Sequence, residues 1–360
     1  MRQQTRLQRF LVAGRVAAAA LALAALAGNA LAAEPQAVNV SYQVTIHGVP
    51  LQLADDAGWW ADAGLKPGNM TSFTAGAQQV AAIPSKTWDI GLLGGPPALL
   101  GAARFNLQSV LILIDDSRAN GVVAREKDFA AIKADPVKAL TGKQYLVPAN
   151  STSDYAAQSC FAKLGLKGGD LQAVNIAPGA IVDAFKGSDI PVAAIWYPHF
   201  ARLESNGGKL LCNGKDAGAM VTANMVVRPE YLKDNLDTVA RFAAMYLRGM
   251  NVMRNDRAKT LAAMKKFYDK GGVVLSPDEM TGEVETRDYW NLAEQLKAFD
   301  RSGGPSMIDK ESTRLAEFFK TAGTIPSVPD AKTYINPAVL DYIEKNPKLK
   351  AFAEGKPGKP

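Results

Sequence analysis

The chain has 360 residues, 41 Lys and Arg against 35 Asp and Glu, a formal net charge of +6, two cysteines and two histidines. That length supports more than one hydrophobic core, and the modest charge, with no arginine-rich stripe interleaved with aromatics, excludes a nucleic-acid footprint. Neither cysteine sits in a CxxC pair, which argues against redox chemistry and structural zinc, and two histidines leave little material for general acid–base catalysis.

At the start of the chain, Arg2, Arg6, Arg9 and Arg15 precede an apolar run over 16–27 that ends in Ala30, Leu31 and Ala32. This is the pattern of a cleavable signal peptide, so residues 1–32 are expected to be a leader and the product a periplasmic protein. The run is shorter than a membrane span requires, and with no cysteine near the cleavage site and no twin arginine the general export route is expected. Without the four leader arginines the net charge falls from +6 to +2.

Residues 38–46 alternate and are β-rich, which predicts a first strand. Residues 49–64 are amphipathic at helical spacing, with Gly64 as the stop. A second strand over 70–74 and a short helix over 76–85 follow. Residues 87–104 read as a buried strand (88–93), a turn at Gly94 and Gly95, and a helix opening on Pro96 and Pro97. Proline is tolerated there because a first helical turn has no partner for its amide. The arrangement brings a helix start, which attracts anions, to a sheet edge. The run over 109–114 is continuously apolar, as a strand covered on both faces should be, and 121–126 reads as another strand.

After Glu126 the charge density rises, marking entry into a second α/β unit. Strands are expected at 143–148, 170–176, 190–197 and 207–214, with helices at 151–165 and 177–187. Residues 220–229 read as an extended return to the first unit. The remainder is helical, with an N-cap, a first-turn proline and an acid pair at 276–279, and further helices over 236–254, 256–271, 283–300 and 309–323. Alternating strands and helices predict an α/β fold of two lobes, each a mainly parallel sheet flanked by helices. The first lobe is expected over 33–124 and 220–360, the second over 125–219.

Ligands of open α/β sheets bind beyond the carboxyl ends of the strands, which selects the candidate site residues. His47 follows the first strand and either meets an anion or a ring or is a turn histidine. Gly94 and Gly95 either admit a ligand to the backbone or only make the turn. Ser151, Thr152 and Ser153 are the strongest candidates: one hydroxyl caps the helix, and the others, with the Ser153 and Asp154 amides, suit a sulfonate or carboxylate. Tyr155 contacts the ligand or packs. Trp196 and Tyr197 end their strand as covers for an aliphatic or cyclic body, partners for an amine, or core residues. Ser117 lies near the first crossing between lobes, beside Arg118, which either pairs with an anionic head or, the favoured reading, forms an ion pair with Asp115 or Asp116. Cys160 and Cys212 are either a disulfide or two buried thiols. No metal site, cofactor or catalytic residue is expected.

Taken together, residues 73–103, 142–166 and 174–198 resemble the lobe signatures of periplasmic substrate-binding proteins for sulfonates, taurine and nitrate. The likeness is nearest to taurine-binding proteins, through Ser151, Thr152 and Tyr155 and the aromatic strand end at Trp196. The resemblance implies two α/β lobes joined by a two-strand hinge in the type II arrangement, closing on one small anionic ligand for delivery to the permease subunits of an ABC importer. It also implies a monomer that meets the membrane only through that permease. The chain departs from the pattern at Pro96, where sulfonate and taurine relatives usually carry a hydroxyl, so one polar contact to a headgroup is missing. Nitrate, an aromatic carboxylate and a pyrimidine remain open as ligands. A same-fold enzyme is the rival class, but the cysteine-rich motif of the thiamine-pyrimidine relatives is absent, as are GxSxG, HExxH and GxxxxGK[ST]. A sensor that docks on a receptor when closed is the third reading.

Overall fold

The computed structural model describes residues 34–360, so the expected leader lies outside them. Two five-stranded sheets organise these residues. The first has the order β2-β1-β3-β10-β4, built from β1 (Gln36–Gln43), β2 (Leu65–Phe73), β3 (Ile90–Gly94), β4 (Gln108–Asp115) and β10 (Thr222–Val227). The second has the order β7-β6-β8-β5-β9, built from β5 (Asn120–Arg125), β6 (Gln144–Val147), β7 (Gln172–Asn175), β8 (Val192–Trp196) and β9 (Gly208–Asn213). In each sheet one strand runs against its neighbours: β10 is antiparallel to β3 and β4, and β5 is antiparallel to β8 and β9. The fold is thus the expected two-lobed α/β arrangement with a strand exchanged in each direction.

That exchange corrects one boundary. The reading of 121–126 as a strand holds, but β5 pairs with β8 and β9, so it belongs to the second sheet and the first crossing falls at 116–119 rather than after 124. An apolar strand covered on both faces fits either sheet equally well, so only pairing decides its lobe. The second crossing runs through 214–221.

The second sheet shows why its strands read as continuous apolar runs. Val122, Ala124, Tyr145, Val147, Val192 and Ala194 face one core, while Val123, Leu146, Ala193 and Ile195 face the other. Side chains of a strand alternate between faces, and helices cover both. Cys160, in α4 (Thr152–Lys163), and Cys212, in β9, form a disulfide with Cα atoms 5.9 Å apart, tying that helix to the sheet edge.

Of the helices needed below, α1 (Val49–Ala57), α2 (Gly76–Ala81) and α3 (Gly95–Phe105) follow strands of the first lobe. Gly58, at φ 71°, ends α1 earlier than expected, and a separate short turn at Trp59–Asp62 carries the chain to Gly64. In the second lobe, α5 (His199–Glu204) follows β8. Later in the chain come α6 (Arg257–Lys270), α7 (Pro277–Glu285) and α8 (Leu292–Phe299). The N-cap expected at the start of α7 is present and forms part of a capping box, with Ser276 Oγ accepting from the Glu279 amide at 3.1 Å and the Glu279 carboxylate accepting from the Ser276 amide at 2.7 Å. The continuous helix expected over 283–300 is not. α7 stops at Glu285, and Asn291 caps α8 through a second capping box. Between them Asp288 exchanges backbone hydrogen bonds with Asp115, at 3.0 and 3.2 Å, which pins this segment to the first crossing. Among the described residues no helix is long and apolar enough to cross a membrane.

Candidate functional site

A small cavity of about 50 Å³ lies between the lobes. One side is formed by Gln43, Thr45 and His47 after β1, Ala75 to Ala77 at the start of α2, and Gly94 and Pro97 where β3 passes into α3. The other side is formed by residues 148–152 at the start of α4 and by Trp196 at the end of β8, while Asp116 and Arg287 lie beside the crossing. Both sides are carboxyl ends of strands, where open α/β sheets place their ligands.

The two lobes approach each other closely at Gly94 and Thr152. A Cβ added to Gly94 would stand 2.6 Å from Thr152 Cγ2, so the absence of a side chain lets the helix starts meet. The two starts are unequal as donors. Ser151 caps α4 by accepting from the Asp154 amide at 3.2 Å, leaving the Thr152 and Ser153 amides outside the helical ladder. In α3 two of the first three positions are Pro96 and Pro97, so Gly95 supplies the one amide there. The expected pair of amide-rich ends is therefore one amide-rich end facing a tight, apolar one.

Of the ten ligand-binding residues expected, His47, Gly94, Ser151, Thr152 and Trp196 line the cavity. The other five do not. Gly95 backs onto Thr222, whose Oγ1 would stand 2.9 Å from an added Cβ. Ser117 accepts from the Val221 amide at 2.9 Å and donates to Asp115, so its hydroxyl ties the two crossings together. Ser153 donates to Asn120 Oδ1 at 3.0 Å, fixing α4 to β5. Tyr155 packs against Phe318 of the first lobe with ring centroids 5.3 Å apart. Tyr197 lies against Gly282 of α7. The four side chains among them point to the joint between lobes or into packing, which strand-end position alone does not distinguish. Arg118 also differs from expectation: it pairs with Asp288 at 2.9 Å.

Arg287 was not selected from the sequence, because residues 283–300 read as one helix. It emerges from the irregular link between α7 and α8, buried, with Nε donating to Asp116 Oδ1 at 2.6 Å and Nη1 donating to the Glu283 carbonyl at 2.8 Å. Nη1 also lies 2.5 Å from Glu283 Oε2. On the opposite side of Asp116, His47 Nε2 is 3.1 Å from Oδ2. Burial pushes the Asp116 carboxyl up, but Arg287 and His47 outweigh it and hold the group below its usual range. Glu283 goes the other way. Burial dominates there, Arg287 offsets only part of it, Asp116 adds repulsion, and the carboxyl is pushed up to about 7. Because an ionised Asp116 only accepts, His47 Nε2 carries the hydrogen between them. His47 Nδ1 and Thr45 Oγ1, both buried on the cavity side after β1, have no partner among the described residues.

A cleft closed between two α/β lobes, walled by strand ends and one helix start, defines a small-molecule binding protein. The comparisons agree. Residues 46–259 match the NMT1/THI5-like family, and the chain belongs to that family. It is similar to the taurine-binding periplasmic protein of Escherichia coli (strain K12), with 26% identity over 325 residues, 85% of this chain and 93% of that protein. Its fold matches the alkanesulfonate-binding protein SsuA from Xanthomonas axonopodis pv. citri bound to MOPS, at a TM-score of 0.68 and 20% identity, covering 84% of this chain and 99% of that one. The periplasmic nitrate-binding protein NrtA from Synechocystis PCC 6803 shares the fold at a TM-score of 0.66 and 12% identity, covering 91% and 93%. These relatives are binding proteins rather than enzymes, in agreement with the expectation of a non-catalytic chain.

Proposed function

We propose that the protein is the periplasmic solute-binding component of an ABC importer, capturing a small anionic compound of the taurine or aliphatic sulfonate type between its lobes. The observation that carries this reading is the meeting of Gly94 and Thr152 beside the cavity, with the amide-rich start of α4 as one wall. A helix start of this kind stabilises an anion by its free amides and partial positive charge. Apolar walls at Ala75, Ala77, Pro97 and Ala149, with Trp196 beside them, suit a short aliphatic body. A ligand that touches both walls favours the joined lobes, and the permease reads that joined shape. His47, Gly94, Ser151, Thr152 and Trp196 are the ligand-binding residues of this reading.

The test is a thermal-shift screen of the purified protein against taurine, ethanesulfonate, nitrate, benzoate and a pyrimidine. Taurine or ethanesulfonate should raise Tm in a saturable, concentration-dependent way, because a ligand bound only to the native state stabilises it by mass action. A shift with benzoate or the pyrimidine alone would move the protein to another ligand class. No shift with any of them would remove the reading.

A further inference from the structure

Beneath the cavity two carboxylates share one guanidinium. Asp116 and Glu283 both contact Arg287, and of these three Asp116 and Arg287 reach the cavity wall. All three are buried. Arg287 spends Nε on Asp116 and Nη1 on Glu283 and Thr286, and Nη2 has no protein partner among the described residues. The groups facing Glu283 come from five places. They are Tyr268 of α6, whose hydroxyl donates to Glu283 Oε1 at 3.1 Å; Glu279, one turn earlier in α7 and itself paired with Arg202; Arg287 and Asp116; Tyr289, in the link after Arg287; and Tyr197 beyond β8. His47 adds its ring on the far side of Asp116.

With both carboxylates ionised, Asp116 and Glu283 set two negative charges against the one positive charge of Arg287, a surplus of one among these three groups. An anion arriving in the cavity beside Arg287 would add another in a desolvated place, which is unfavourable. One proton on Glu283 removes the surplus, and the protonated carboxyl can still accept the Tyr268 hydroxyl at Oε1.

We propose that Glu283 is the positioning residue that sets the charge of the cavity, taking up one proton from solution when an anionic ligand binds and so leaving Arg287 to oppose the ligand. No covalent bond to the ligand forms. The proton leaves the buffer and joins the Glu283 carboxylate, and the cluster with its ligand keeps the net charge it had when empty. This rests on the cavity being the anion site of the proposed function. Burial pushes the Glu283 carboxyl up to about 7, which supports it, because a proton can then be gained across the neutral range. The sign is definite: a bound anion raises the carboxyl further, so affinity is full below pH about 7 and declines as pH rises above it.

The test uses ethanesulfonate, whose charge is constant across the range, titrated calorimetrically into the purified protein from pH 6 to 9. Kd should be flat at the acid end and rise by up to about tenfold per pH unit above 7, as expected for uptake of one proton. Binding heats in phosphate and in Tris at pH 8 should differ by close to one proton's worth of buffer ionisation. In Glu283→Gln, which keeps the size and carries no charge, both the slope and the heat difference should vanish. A purely structural role for Glu283 would lower stability without flattening that profile. Infrared difference spectra of the native protein, carboxyl-labelled at glutamate, should show a protonated carboxyl gained on binding, a readout that does not depend on the variant folding. A flat Kd with equal heats in the native protein, or an unchanged slope in Glu283→Gln, overturns the inference while leaving the proposed function intact. Failure of ethanesulfonate to bind at any pH also overturns it, and the thermal-shift response to taurine and nitrate then decides the function separately.

Discussion

Gly94, the last residue of β3, and Thr152, the first of α4, belong to different lobes, yet a β-carbon on Gly94 would sit 2.6 Å from the Thr152 methyl. The backbone of Gly94 is extended, at φ −63°, so alanine fits its conformation and the clash is the whole effect. Gly94→Ala should therefore penalise the joined lobes alone. Ligand affinity should fall by tenfold or more, about 1.4 kcal/mol, with the ligand-free Tm little changed. Pairing it with Thr152→Ser, which removes the methyl and keeps the hydroxyl, should restore most of the loss. An affinity for Gly94→Ala equal to that of the native protein, measured by calorimetry, would mean that these two residues do not meet in the ligand-bound state.

The sequence makes some of this legible, for identifiable reasons. The runs at 109–114 and 190–197 declare buried strands because both faces of each are covered, and β8 alternates between two cores accordingly. His47, Ser151 and Trp196 could be found because they follow strand ends in an α/β pattern. Ser117, Ser153 and Tyr155 occupy equally suggestive positions, but a hydroxyl or a ring near a hinge serves the hinge as readily as a ligand. Ser117 ties the crossings together, Ser153 fixes α4 to β5, and Tyr155 meets Phe318. Arg287 was hidden because its neighbours have helical spacing. Only the pairing of Asp288 with Asp115, a contact between distant parts of the chain, breaks that helix and turns the guanidinium toward Asp116. The strand at 120–125 was assigned to the wrong lobe for the same reason, since its own residues carry no record of its partners.

A second bridge between lobes is ionic. Arg202 of α5 donates from Nε to Glu279 of α7 at 2.5 Å and from Nη2 to the Val274 carbonyl at 2.9 Å. Burial alone would raise the Glu279 carboxyl, but Arg202 and the Ser276 cap hold it below its usual range. The pair is partly exposed, with the side chains 33% and 16% accessible, so its worth is discounted to about 0.5–1 kcal/mol. Arg202→Met should weaken ligand binding several-fold, make the residual affinity less sensitive to salt, and enlarge the ligand-free radius of gyration in X-ray scattering. If scattering and affinity both stay at native values, this bridge does not hold the lobes together.

The Cys160–Cys212 disulfide spans 52 residues of sequence and lies wholly within the second lobe. In the chain-entropy account, closing a loop of that length stabilises the native state by about 4 kcal/mol. Reduction, or replacement of both cysteines by alanine, should lower the urea midpoint by a corresponding amount. Ligand affinity under native conditions should change little, because neither sulfur borders the cavity. Fragments of the two lobes should then differ in their proteolysis, with cleavage appearing first between residues 125 and 213. Equal midpoints with and without reductant would show that the bridge contributes no net stability.

His199 opens α5 beside Arg202, and its imidazole is held at about 4, first by burial and then by the Arg202 charge, with Glu279 offsetting a little. A histidine depressed in this way is neutral in the folded state and charges readily when unfolded. The unfolded chain therefore binds the proton first, and the associated stability is complete above the ordinary value near 6.5 and lost as pH falls from there toward 4. The slope approaches 1.4 kcal/mol per pH unit as an upper limit, because the ring keeps some contact with water. Urea unfolding at pH 7, 6, 5 and 4.5 should show the native protein losing stability faster than His199→Asn across this window, while the two run parallel above pH 7. Parallel curves throughout would mean that the ring charges without cost in the folded protein, and that the α5 side of the lobe joint is wetter than its burial implies.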